Sequence, residues 1–150
     1  MKEAQNAKWV LMTPPQVADG ALLTGNTYVD TLGFGYLEVL FATGTMADAL
    51  GTTDAATAPI LEECDTSGGS YTTIAAAALA AAIPATADNK LHKIDIDLMN
   101  STRKRFIRVK APFAGATDAG GIACIIGRLS KPQVGPVDAT GRGLASNVIA

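Results

Sequence analysis

Two neighbouring runs restrict this chain more than any other feature. In Lys90–Met99 (KLHKIDIDLM), Ile94, Ile96 and Leu98 alternate with Lys93, Asp95 and Asp97. In Arg105–Ala111 (RFIRVKA), Ile107 and Val109 alternate with Arg108 and Lys110. Successive side chains of a strand point to opposite faces. A period of two with one apolar phase therefore specifies a strand buried on one side and wet on the other. The polar stretch Asn100–Lys104 between the runs predicts a hairpin connection. A chain that contains them must build an antiparallel sheet and cover its apolar face.

Other segments extend the pattern. Tyr36–Ala42 (YLEVLFA) places Leu37, Val39 and Phe41 on one face and Glu38 on the other. Thr27–Thr31 (TYVDT), Pro59–Asp65 (PILEECD) and Tyr71–Ile74 (YTTI) are strand candidates bounded by Gly33 and Ser67-Gly68-Gly69. Gly121–Leu129 (GIACIIGRL) is almost continuously apolar and predicts a central strand covered on both faces. The alanines of Thr72–Ile83 favour helix, but large anchoring residues are few and Pro84 stops the run. A short helix or a loop is the expectation there.

Seven or eight short strands with turns between them predict one all-β domain, a β-sandwich or jelly roll. Its core is expected to hold Leu37, Val39, Phe41, Ile94, Ile96, Leu98, Ile107, Val109, Ile122, Ile125 and Ile126. Each would contribute roughly 1.5–3 kcal/mol before chain entropy is subtracted. The body is expected over residues 26–129, between an N-terminal arm (1–25) and a C-terminal arm (130–150). Within the first, Lys8–Met12 (KWVLM) is a short strand candidate, and Pro14-Pro15 removes two ladder donors. The second has two prolines, three glycines and no usable period. Both arms are expected to be dispensable for folding and to seat Trp9, Val10, Leu11, Val148 and Ile149 on neighbouring molecules.

Charge narrows the partners. Charged residues are 17% of the chain, against about 25% in an ordinary soluble domain, which is the composition of a surface partly covered by partners. Residues 1–89 hold 2 basic and 10 acidic side chains, net −8, and residues 90–150 hold 10 and 4, net +6. Either the halves interleave and mix these charges in one fold, or complementary surfaces pair between chains. The densest basic patch, Arg103-Lys104-Arg105, is expected at a hairpin tip that meets an acidic partner surface. Nucleic acid is not the expected partner, because in sequence Phe106 is the sole aromatic beside those cations. No run reaches the ~20 apolar residues of a membrane span. Met1–Val10 is polar, without the apolar stretch of a secretory signal, which points to synthesis in a cytoplasm.

Catalytic patterns are weak. His92 is the sole histidine and falls in phase with Ile94 and Ile96, with no GxSxG elbow in the chain. Asp65-Thr66-Ser67-Gly68 departs from the Asp-Thr-Gly of aspartic proteases by an inserted serine. Glu62, Glu63 and Asp65 are not an EF-hand, and the glycines form no phosphate loop. Cys64 and Cys124 lack a CxxC pattern and read as buried free thiols. The expectation is a non-enzyme without metal or cofactor.

Three stretches carry a family resemblance. They are Tyr28-Val29-Asp30-Thr31-Leu32-Gly33 followed by Tyr36-Leu37-Glu38-Val39; Leu61-Glu62-Glu63-Cys64-Asp65-Thr66-Ser67-Gly68; and Ala87-Asp88-Asn89-Lys90 leading through Ile94-Asp95-Ile96-Asp97-Leu98 to Arg103-Lys104-Arg105-Phe106-Ile107. Over residues 27–129 the chain resembles small capsid-associated (cement or decoration) proteins of tailed bacteriophages. The alanine-rich segment 75–87 departs from that pattern. The resemblance implies a homotrimeric β-rich module, made in the host cytoplasm and bound to major capsid protein on the virion surface. Its rivals are another virion component (head–tail, tail or fibre-base), a carbohydrate-binding or adhesion module, and a small hydrolase.

Overall fold

The computed structural model describes residues 6–18, 28–47, 49, 58–99, 102–110, 121–133 and 143. Among the described residues eight strands form: β1 (Lys8–Ala18), β2 (Val29–Asp30), β3 (Phe34–Met46), β4 (Ile60–Cys64), β5 (Thr72–Ala78), β6 (Leu91–Asp97), β7 (Phe106–Val109) and β8 (Gly121–Pro132). They make two four-stranded sheets, ordered β1-β8-β3-β6 and β2-β7-β4-β5. We call these the first and second sheets. The antiparallel pairs β1–β8, β2–β7, β3–β6 and β4–β5 nest one inside another. That is a long ribbon folded at the β4–β5 turn and wound into two layers, the strand order of a jelly roll.

The alternating residues supply the layer between the sheets. Leu37, Val39 and Phe41 of β3, Ile94 and Ile96 of β6, and Ile125 and Leu129 of β8 point inward from the first sheet. Val29, Leu61, Ile107 and Val109 meet them from the second. Gly127 lies in the same inward row of β8 as Val10 and Val39 of its neighbours. A Cβ there would stand 3.2 Å from Val29 Cγ2 and 3.3 Å from Met12 Sδ, so the glycine lets the sheets approach. Ile83 and Ala87 close one end of the core. Their segment is tied to β3 by the Thr43 hydroxyl donating to the Ala87 carbonyl (2.5 Å) and by Met46 N–H donating to Asp88 Oδ1 (2.7 Å).

Several expectations change. Residues 8–18 are not an arm: β1 pairs with β8 from Lys8↔Leu129 to Ala18↔Gly121, and Met12 and Thr13 are fully buried. Pro14-Pro15 is absorbed by register shifts on this edge strand, where missing donors cost no ladder bond. The body also extends past residue 129, since β8 runs to Pro132. Thr72–Ala78 is a strand, not a helix or loop; it buries Ile74 and Ala77 and crosses a bulge against β4. The runs in β6 and β7 form no hairpin. They belong to different sheets, so the chain passes from one layer of the sandwich to the other between them. β8 is central within its sheet but alternates buried and half-buried positions, so one face alone is covered by the other sheet. Ile126 lies on the outer side and Leu98 is partly buried.

Candidate assembly surfaces

The charge asymmetry closes within the chain. Seven ion pairs occur among the described residues, and six join an acid before residue 90 to a base after it. Arg105 grips Asp30 with two parallel hydrogen bonds, Nε to Oδ1 at 2.8 Å and Nη2 to Oδ2 at 2.7 Å. That fork holds the Asp30 carboxyl below its ordinary pKa and raises that of Arg105. Arg108 donates to the buried Glu62 (Nη2–Oε2, 3.0 Å). Glu63, also buried, accepts the Lys104 backbone N–H (3.1 Å) and faces Arg103 Nη1 at 3.3 Å. Lys104 Nζ lies 3.9 Å from Asp65. Thus Arg103, Lys104 and Arg105 are not an open basic tip. Each is matched to an acid of its own chain, in a segment that bridges the sheets.

The outer face of the second sheet carries a cluster that sequence reading missed. Val29 and Ile107 point inward, so Tyr28, Asp30, Phe106 and Arg108 point out. Tyr28 meets Phe106 edge to face, with ring centroids 5.2 Å apart. The Arg105 guanidinium stands 4.9 Å over the Phe106 ring, and that of Arg108 stands 4.0 Å over Tyr71. Burial pushes the Tyr71 hydroxyl pKa up. Residues 28, 71 and 106 converge through β2, β7 and the β4–β5 turn, so no local motif announces them. Phe106 does not stand alone.

The outer face of the first sheet divides in two. One row crosses it as Trp9, Arg128, Glu38 and Asp95. Arg128 pairs with Glu38, and Lys93 bridges Glu38 (3.6 Å) and Asp95 (2.9 Å). The Asp95 hydrogen bond raises the Lys93 pKa. The next outward row is Leu11, Ile126, Leu40 and Lys93, followed by Cys124, Ala42 and Leu91. Leu11, Val17 and Leu91 are 53%, 59% and 71% exposed, and Ile126, Leu40, Ala42 and Cys124 are half-buried. One half of the face is therefore charge-laced and the other apolar.

The residues expected to contact neighbours separate accordingly. Trp9 and Leu11 do lie on this outer face, with Arg128 5.7 Å over the Trp9 ring. Val10 faces inward against the core, because it occupies the opposite phase of β1. Val148 and Ile149 lie outside the described residues. So does most of the expected C-terminal arm, except residues 130–133 and Gly143. Gly143 approaches the Trp9 backbone so closely, at φ +71°, that a Cβ there would meet the Trp9 carbonyl.

Cys64 and Cys124 are free thiols in different sheets, the first buried and the second half-buried. Burial raises the Cys124 thiol pKa. His92 faces inward beside Phe41, and its Nε2 is buried without a hydrogen-bond partner. Among the described residues no three His, Cys, Asp or Glu side chains gather as a metal site, and no helix is long and apolar enough to cross a membrane. No protein-family model matches the sequence, and no curated protein matches it.

Proposed function

We propose that this chain is a structural assembly protein, a cement or decoration protein that binds the major capsid protein shell of a tailed phage and stabilises it. The observation that carries the reading is the apolar half of the first sheet's outer face. Leu11, Val17 and Leu91 stay exposed beside half-buried Ile126 and Leu40, although the sandwich has already buried its own core. Contiguous apolar surface rimmed by charge is the mark of a protein contact. Binding the assembled shell in preference to free subunits stabilises it by mass action, with no chemical step. The resemblance of residues 27–129 to capsid-associated proteins supplies the identity of the shell.

An adhesion module is the weaker reading. Sugar rings stack on open aromatic faces, whereas guanidinium groups stand over Phe106 and Tyr71. Quantitative mass spectrometry of purified virions tests the proposal. A copy number comparable to that of the major capsid protein is expected. A few copies per particle would assign the chain to a head–tail or tail component, and absence from particles would refute both. Leu11→Asp, which reverses the chemistry of the apolar half, is expected to lower occupancy on the shell at least about tenfold, while thermal unfolding of the free protein changes little.

A further inference from the structure

Among the described residues the two four-stranded sheets present four edges, and three of them are blunted. β1 carries Pro14-Pro15 and two register shifts, β2 has two residues, and β5 is bulged against β4. β6 differs. Its seven residues pair with β3 in unbroken register, from Tyr36↔Asp97 to Ala42↔Leu91. Among the described residues its other side pairs with no strand.

The direction of its backbone groups follows from two bonds. Leu98 N–H donates to the Gly35 carbonyl (3.1 Å), and the Lys90 carbonyl accepts from Thr43 N–H (3.0 Å). Residues of even number therefore address β3. In an antiparallel ladder the alternate residues turn both groups the other way. Leu91, Lys93, Asp95 and Asp97 thus present N–H and C=O at the free edge. Beside its far end lies a cavity of about 420 Å³, lined by Ile74 to Ala77 of β5, by Asp95, Ile96 and Asp97, and by Arg103.

We infer that β6 pairs antiparallel with β6 of a second copy, about a two-fold axis at Ile94. The side chains select this occupant and this register. Centred on Ile94, Lys93 stands opposite Asp95 of the second copy, and the reverse holds by symmetry. The four outward residues then meet four outward residues, as hydrogen-bonded pairs require. Centring on Lys93 or Asp95 sets like charges face to face, and centring on Ile96 sets Asp95 against Asp97. Charges on an edge ordinarily repel added strands. Here they repel strands of other sequence and admit the chain's own. The product is one continuous sheet, β1-β8-β3-β6-β6-β3-β8-β1. This inference does not depend on the identity of the shell.

Sedimentation velocity and residue-resolved amide hydrogen exchange on the whole chain test it. The protein is expected to sediment as a dimer or an even-numbered assembly. The amides of Lys93 and Asp95 should be protected along with those of His92, Ile94 and Ile96, and should lose protection on dilution. Asp95→Pro removes a donor that β3 does not use, so it should leave a folded monomer. Lys93→Asp should raise the dissociation constant about tenfold or more, through two like-charge oppositions. Lys93→Asp/Asp95→Lys should restore it, because the swap also returns a lysine opposite Glu38. A monomeric wild type, or the trimer alone that the resemblance implies, would overturn the inference. So would odd-numbered amides that exchange freely in the oligomer, or an assembly that Asp95→Pro leaves intact. None of these outcomes bears on copy number in virions, so the two proposals fail separately.

Discussion

At the scale of single residues, the acids of the first half are matched to bases of the second, and that matching has a pH signature. Asp30 titrates below its ordinary value because Arg105 binds its ionised form. A carboxyl with a folded pKa below its unfolded one adds stability above the unfolded value, about 3.9. That stability disappears as pH falls through the folded value. The pair is substantially exposed, so its contribution is at most about 1 kcal/mol. Arg105→Ala is expected to move the Asp30 midpoint upward, read by carboxyl-carbon NMR titration, and to shrink the acid-side loss of stability. Glu63 is a harsher case. It is buried and serves both Arg103 and the Lys104 N–H. Glu63→Ala should cost about 1–3 kcal/mol in urea unfolding by orphaning those donors.

At the scale of elements, what was legible in the sequence depended on side-chain period. The alternating runs identify β3, β6 and β7 and seven of the buried inward residues that fill the core, Leu37, Val39, Phe41, Ile94, Ile96, Ile107 and Val109. The candidate Tyr71–Ile74 marks the start of β5, while its alanine half was hidden because alanine carries helix propensity and a bulge breaks the period. The error over β6 and β7 has another origin. Strand pairing is a non-local choice, and adjacent alternating runs look alike whether they pair or pack face to face. The aromatic–arginine cluster was invisible for the same reason, since Tyr28 meets Phe106 and Tyr71 meets Arg108 across segments far apart in sequence. Sheet spacing adds a constraint that no period reveals. Gly127→Val should cost about 1–3 kcal/mol by wedging β8 against Val29 and Met12, with a lower urea midpoint and unchanged slope.

For the whole molecule, the N-terminal segment has moved from attachment device to structural member. Deleting residues 1–14 removes the first half of β1 and takes Met12 and Thr13 out of the interior. The truncated chain is expected to lose its cooperative thermal transition, as read by circular dichroism. The nested strand order has a consequence for biosynthesis. β8, the last of the described strands to be made, lies between β1 and β3. A nascent chain therefore holds two unfilled strand borders until residue 132 has left the ribosome. Its first sheet closes after translation of the body is complete, and any product terminated early is sticky where the finished one is sealed.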